Sequence, residues 1–153
     1  MGRSQSPLHA RRGFTLVELV IVLLVIGVLA TMIVPNYRQS VIRAEGAQVA
    51  TRVEAINVAL KEYEADHDSI PTGTGPAGSA PSWLAPYLTA NHFQGPAGIT
   101  FQYAHSGLSV PPTLVIAAGA VDERMILLAA AASLGSRATT VGGGASLLVT
   151  LSE

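Results

Sequence analysis

Glu18 is a carboxylate inside an apolar run that carries no other charge, and that placement is the chain's clearest chemical signal. From Phe14 to Val34 there are 21 residues, fifteen of them Phe, Leu, Ile or Val. A helix of that length reaches roughly 32 Å, about the thickness of a bilayer's hydrocarbon core. Fifteen apolar residues at about −0.3 to −0.6 kcal/mol each outweigh one carboxylate near the segment's end. The segment therefore inserts, and an acid at membrane depth calls for a partner. On the same helical face, three or four positions away, Glu18 finds Phe14, Thr15, Ile21 and Val22, none of them basic. Arg11 shares the face but lies two turns back, roughly 10 Å along the axis. A cut between Gly13 and Phe14 would create a positive α-amino group at Phe14. On a neighbouring copy of the chain, that amine is a counter-ion for Glu18.

The stretch Gly13-Phe14-Thr15-Leu16-Val17-Glu18, followed by the apolar run and Pro35, closely resembles the N-terminal signature of type IV pilins and type II secretion pseudopilins. The likeness covers about residues 11–66. It implies that a membrane prepilin peptidase cuts after Gly13 and that Phe14 is N-methylated. It implies that Glu18 neutralises the Phe14 amine of an adjacent subunit during assembly. Pro35 matches the proline that bends the family's helix and lets it loosen inside the filament. A kink is expected there on physical grounds too, since proline removes an internal hydrogen bond and clashes with the preceding turn.

Composition fits this division of labour. At 153 residues there is room for one modest domain beside the helix. Residues 1–13 hold Arg3, Arg11 and Arg12 and no acid; without them six basic residues face ten acidic ones, a formal charge of −4. The basic leader should stay cytoplasmic and the acidic body should cross. This charge asymmetry predicts a single pass with the head across the membrane, and the resemblance implies that the membrane is the bacterial inner membrane, the head periplasmic and its later destination a periplasmic or extracellular filament. A secretory signal peptide would be cut after its apolar run, whereas Gly13 precedes this one, so the apolar helix is retained. The chain has no cysteine, which excludes disulfides and thiol metal sites and departs from the many type IV pilins with a C-terminal disulfide.

The expected organisation is a leader (1–13), a transmembrane and filament-core helix (14–35) and a head (36–153). Val49, Val53, Ile56, Leu60 and Tyr63 recur at helical spacing, extending one kinked helix from Phe14 to about Asp66. Gly46 is its weak point, costing about 1 kcal/mol relative to alanine. Ile70-Pro71 ends the pattern, and residues 72–81 form a Gly/Pro-rich loop. Residues 82–90 read as a short helix docking through Trp83, Leu84, Tyr87 and Leu88. Residues 99–105, 113–119 and 147–151 read as strands, and 122–134 as an Ala/Leu-rich helix with Asp122 and Glu123 in its first turn. The glycines at 142–144 read as a turn. The fold class is α+β: a small antiparallel sheet leaning on the long helix, similar to pilins.

Trp83-Leu84-Ala85-Pro86-Tyr87-Leu88, Gly95-Pro96-Ala97-Gly98 and Phe101-Gln102-Tyr103 resemble the central region of major pseudopilins. That family usually has an aspartate and an aromatic where this chain has Gly95 and Ala97, and an acidic C-terminal calcium loop. Here no acid lies between Asp68 and Asp122, and only Glu153 follows Glu123, which argues against a calcium site. The strand, Ala-rich helix and final strand look more like type IVb pilins, favouring a pilus subunit.

Other motifs carry no chemistry. Residues 73–78 match G-x-G-x-x-G by letter, but follow a helix, contain Pro76 and lack the acid expected near twenty residues on. The triple glycine lacks the Lys and Ser/Thr of a phosphate loop. His67, His92 and His105 lack metal-ligand spacing and read as surface or loop residues. No G-x-S-x-G elbow occurs, and nothing argues for catalysis or a cofactor.

The leading reading is a structural filament subunit. Its partners would be other pilin subunits, the prepilin peptidase, an inner-membrane assembly platform and the bilayer. The alternatives are a secretion pseudopilin, a membrane-anchored minor-pilin binding module and a signal-anchored enzyme. Net charge disfavours nucleic acid as a partner, leaving at most a local basic patch around Arg124 and Arg137.

Overall fold

The computed structural model describes residues 14–88, 92–107 and 109–151. The chain divides into two units after Arg38. In the first, helix α1 (Leu16–His67) begins and continues through Pro35. Its large apolar residues from Leu16 to Val34 are all exposed, as a helix apolar on every side requires when its solvent is lipid. It is long and apolar enough to cross a membrane.

In the second unit α1 becomes amphipathic, and the stripe read from the sequence is the buried one: Val49, Val53, Ile56 and Leu60 are buried and Tyr63 is half-buried. Five strands follow: β1 (Gly73–Thr74), β2 (Thr100–His105), β3 (Thr113–Ala117), β4 (Ala138–Val141) and β5 (Ser146–Thr150). Between β3 and β4 lies helix α2 (Val121–Leu134). The sheet is antiparallel throughout, ordered β1-β2-β3-β5-β4. Phe101 pairs with Ile116 and Tyr103 with Leu114 across β2 and β3; Leu114 faces Val149 and Ile116 faces Leu147 across β3 and β5. Alternation puts these six side chains on one face, where they bury with the α1 stripe and with Ile126, Leu127, Ala130 and Leu134 of α2. The α+β architecture is the one expected.

Three local readings are corrected. Residues 82–88 hold only a single 3₁₀ turn, Ala85–Tyr87, with Pro86 inside it; Trp83 and Leu84 nonetheless dock on the core, while residues 89 and 90 lie outside the described residues. Two strands join the three expected, β1 and β4, at opposite edges of the sheet. Gly46 is no defect, because α1 and α2 touch there. A Cβ at Gly46 would lie 2.8 Å from Ala129 Cβ and 3.1 Å from Ala130 N.

Polar groups fasten the head's edges. The Arg137 guanidinium donates to the Glu54 carboxylate, linking the turn before β4 to α1, and holds that carboxyl below its ordinary range. Arg137 is thereby committed within the head, which weakens the basic patch considered with Arg124. Glu123 accepts hydrogen bonds from the Gly119 and Ala120 N–H groups, capping α2 as its first-turn placement predicted. The Tyr103 hydroxyl donates to the Pro71 carbonyl at 2.8 Å, and burial pushes its phenol pKa up. His105 is buried rather than at the surface, its Nδ1 3.2 Å from the same carbonyl. His67 is exposed and stacks on Tyr63 at 4.2 Å.

Candidate functional site

The residues singled out for chemistry lie at the start of α1. Gly13 falls outside the described residues. Phe14 is exposed and extends ahead of the helix, separated from its first residue by Thr15. Glu18 occupies the first turn. Its backbone N–H donates to Thr15 Oγ1 at 3.3 Å and lies 3.1 Å from the Thr15 carbonyl oxygen. Thr15 is therefore the helix's N-cap and Glu18 its third residue, the T-x-x-E spacing of a capping box. Thr15 was not among the expected site residues, although this spacing is legible in the sequence.

The arrangement has electrostatic consequences. A helix N-terminus carries roughly half a positive charge, so a first-turn carboxylate is favoured there. That interaction orients Glu18 without supplying a full counter-charge. Among the described residues, no basic side chain pairs with the Glu18 carboxylate. Phe14 immediately precedes the cap, so an amine generated there by cleavage would stand at the same end of the helix as the acid.

Further along the apolar segment, the polar side chains turn back on the helix. Thr31 Oγ1 donates to the Val28 carbonyl at 2.7 Å, and Asn36 Nδ2 donates to the Met32 carbonyl at 3.2 Å. Pro35 lies between them and has no N–H to offer the turn before it. The segment thus has a local weakness in its backbone ladder flanked by hydroxyl and amide groups already satisfied by backbone. Glu18 remains the one ionisable side chain from Phe14 to Val34.

A family model described as the prokaryotic N-terminal methylation motif matches residues 8–34. The type II secretion system core protein G of Klebsiella pneumoniae is 36% identical over 65 residues, 42% of this chain and 46% of the relative. The fimbrial protein of Neisseria meningitidis serogroup B is 35% identical over 72 residues, 47% of this chain and 42% of the relative. The competence protein ComGC of Halalkalibacterium halodurans is 34% identical over 68 residues, 44% of this chain and 67% of the relative. The chain spans less than half the length of the secretion-system and fimbrial relatives it matches. No solved structure matches significantly. With its capped apolar helix, its amphipathic continuation and its small antiparallel sheet, the chain belongs to the family of type IV pilins and type II secretion pseudopilins.

Proposed function

We propose that the chain is a structural subunit of a type IV pilus-like filament, anchored in the inner membrane by residues 14–35 before assembly. In this reading residues 1–13 are a cytoplasmic leader that a prepilin peptidase removes after Gly13, and Phe14 becomes the methylated N-terminus. Residues 36–153 form the periplasmic head. An assembly platform in the membrane would draw subunits into the filament, where Glu18 pairs with the Phe14 amine of a neighbour and Pro35 lets the helix loosen. The observation that carries the reading is Glu18 itself, a carboxylate in the first turn of an otherwise uncharged apolar helix. Its burial in hydrocarbon is costly without a partner, and the partner arises only by cleavage next to it.

A second reading is a pseudopilin of a type II secretion system, favoured by the core protein G relatives at 35–36% identity. Both readings require the same processing and the same charge pair. Intact-mass analysis of the membrane fraction should give a chain beginning at methylated Phe14. Glu18→Ala should leave insertion and cleavage intact while sheared filaments fall at least tenfold. A mature chain still beginning at Met1 with the peptidase present, or normal filament yield from Glu18→Ala, would overturn the proposal.

A further inference from the structure

His105 is only 7% exposed, yet one of its ring nitrogens is unused. A carbonyl can only accept, so the Nδ1 that lies 3.2 Å from the Pro71 oxygen carries the hydrogen. In the neutral ring that leaves Nε2 as an acceptor. Among the described residues nothing donates to it. Nor is it sealed in, because no enclosed polar side-chain atom among them lacks a partner. His105 instead walls a cavity of about 610 Å³ at the C-terminal end of α1, together with Leu60, Ile70, Val110 and Leu151. That volume lies within the range of small-molecule sites, which likewise set a few polar groups in apolar walls.

The charged groups of the cavity are Lys61, Glu64 and Asp68 of α1 and its end. Asp68 follows the last helical residue, its N–H donating to the Glu64 carbonyl at 2.8 Å. A helix C-terminus carries roughly half a negative charge, so two carboxylates placed there add to that charge instead of offsetting it. Among the described residues no basic side chain pairs with either. Lys61 lies seven residues before Asp68, roughly 10 Å along the axis, and leaves that end of the cavity negative.

We propose that this cavity binds a small organic ammonium compound. Its N–H groups donate to His105 Nε2 and to the Glu64 and Asp68 carboxylates, and its hydrocarbon body lies on Leu60, Ile70 and Val110. An anion would meet acceptors only at this end. A bare metal ion fits poorly, because among the described residues no three His, Asp or Glu side chains are grouped to ligate one. The proposal does not depend on the assembly reading.

The test is nitrogen NMR of the histidine rings in the detergent-dispersed full chain, titrated with n-butylammonium chloride. The His105 Nε2 resonance should move saturably, because an acceptor nitrogen responds directly to a new donor. Those of His92, which does not line the cavity, should stay in place. The neutral isostere n-butanol should need about tenfold more or fail to bind. Glu64→Gln combined with Asp68→Asn should raise the n-butylammonium midpoint about tenfold or more without lowering the melting temperature. Asparagine suits the left-handed backbone of position 68 (φ 56°) as aspartate does, so this variant keeps the fold. Lys61→Met removes the cavity's like charge and should lower the midpoint. A His105 signal that does not saturate, or a midpoint unchanged in the double variant or matched by n-butanol, would overturn the proposal. The same shift from calcium chloride at equal concentration would assign the site to a metal ion and overturn it too. Tenfold tighter binding of Nα-acetyl-lysine methylamide would assign the site to a lysine of a partner protein and overturn the free amine.

Discussion

Gly46→Ala tests whether helix propensity or close packing governs the middle of α1, because the two predict opposite signs. In an exposed helix the change would stabilise by about 1 kcal/mol. At Gly46 the new methyl would sit 2.8 Å from Ala129 Cβ, 3.1 Å from Ala130 N and 3.2 Å from Ala129 C. Carbon atoms in contact prefer about 3.5–4.0 Å, so α2 must retreat by several tenths of an ångström or more. Two of the three nearest atoms are backbone and cannot swing away, and Ala130 beside them belongs to the core. Overpacking of this kind costs about 1–3 kcal/mol. The net expectation is a destabilisation of about 1 kcal/mol, lowering the melting midpoint by roughly 3–5 °C. The assay is thermal and urea unfolding of the full chain in detergent, followed by fluorescence of its single tryptophan, Trp83, which sits 4.8 Å from the Tyr63 ring and 5.2 Å from that of Tyr103. Adding Ala129→Gly should recover part of the loss, with a coupling of about 1 kcal/mol in the double-mutant cycle. A higher midpoint for Gly46→Ala alone would refute the close-contact argument.

Three further outcomes follow from the head. Glu54→Gln should cost at most about 0.5–1 kcal/mol near neutral pH, since both partners of the Arg137 pair are partly exposed. Arg137 lowers the Glu54 carboxyl pKa, so that contribution is full above the ordinary value of 4.5 and is lost as pH falls through the depressed one. Melts of variant and parent from pH 7 to pH 3 should therefore converge at the acid end. Tyr103→Phe removes a 2.8 Å bond to Pro71 and should cost about 0.5–1.5 kcal/mol by urea unfolding; an unchanged midpoint would mean that bond is idle. Residues 36–153 expressed alone should give an α+β circular dichroism spectrum and a cooperative melt, and a non-cooperative fragment would count against a boundary at Pro35.

What the sequence disclosed, and what it withheld, follows physical lines. The apolar run, the stripe through Val49, Val53, Ile56 and Leu60, and strands β2, β3 and β5 were legible because burial imposes a period on them. Strand β4, Ala-Thr-Thr-Val, carries no such period, since it lies at a sheet edge with its last three residues exposed; its conformation comes from pairing with β5. Strand β1 is two residues bonded to the end of β2, too short to pattern. Residues 82–88 present helical spacing, but Pro86 allows no more than a tight turn, and Trp83 and Leu84 reach the core without a helix. The role of Gly46 was hidden because it depends on Ala129, more than eighty residues away in the chain. At the candidate site, Glu18 stands out by its lone charge and Pro35 by its missing N–H and by the resemblance, whereas the T-x-x-E spacing that makes Thr15 the cap was present in the sequence but is recognised only with its hydrogen bond to the Glu18 N–H.

The two outer strands of the sheet are also its two shortest, β1 with two residues and β4 with four. Open strand edges are templates on which a neighbour's backbone can zip up, and crowding makes that reaction more probable. In a filament of the proposed kind the heads would be held side by side for as long as the filament lasts. Segments that seed cross-β stacking run to six or seven residues, longer than either edge offers. The head can therefore be crowded against its copies without its sheet recruiting theirs. In the proposed filament, polymerisation would then stay under the control of helices and side chains, and a polymer held that way could be taken apart and its subunits used again.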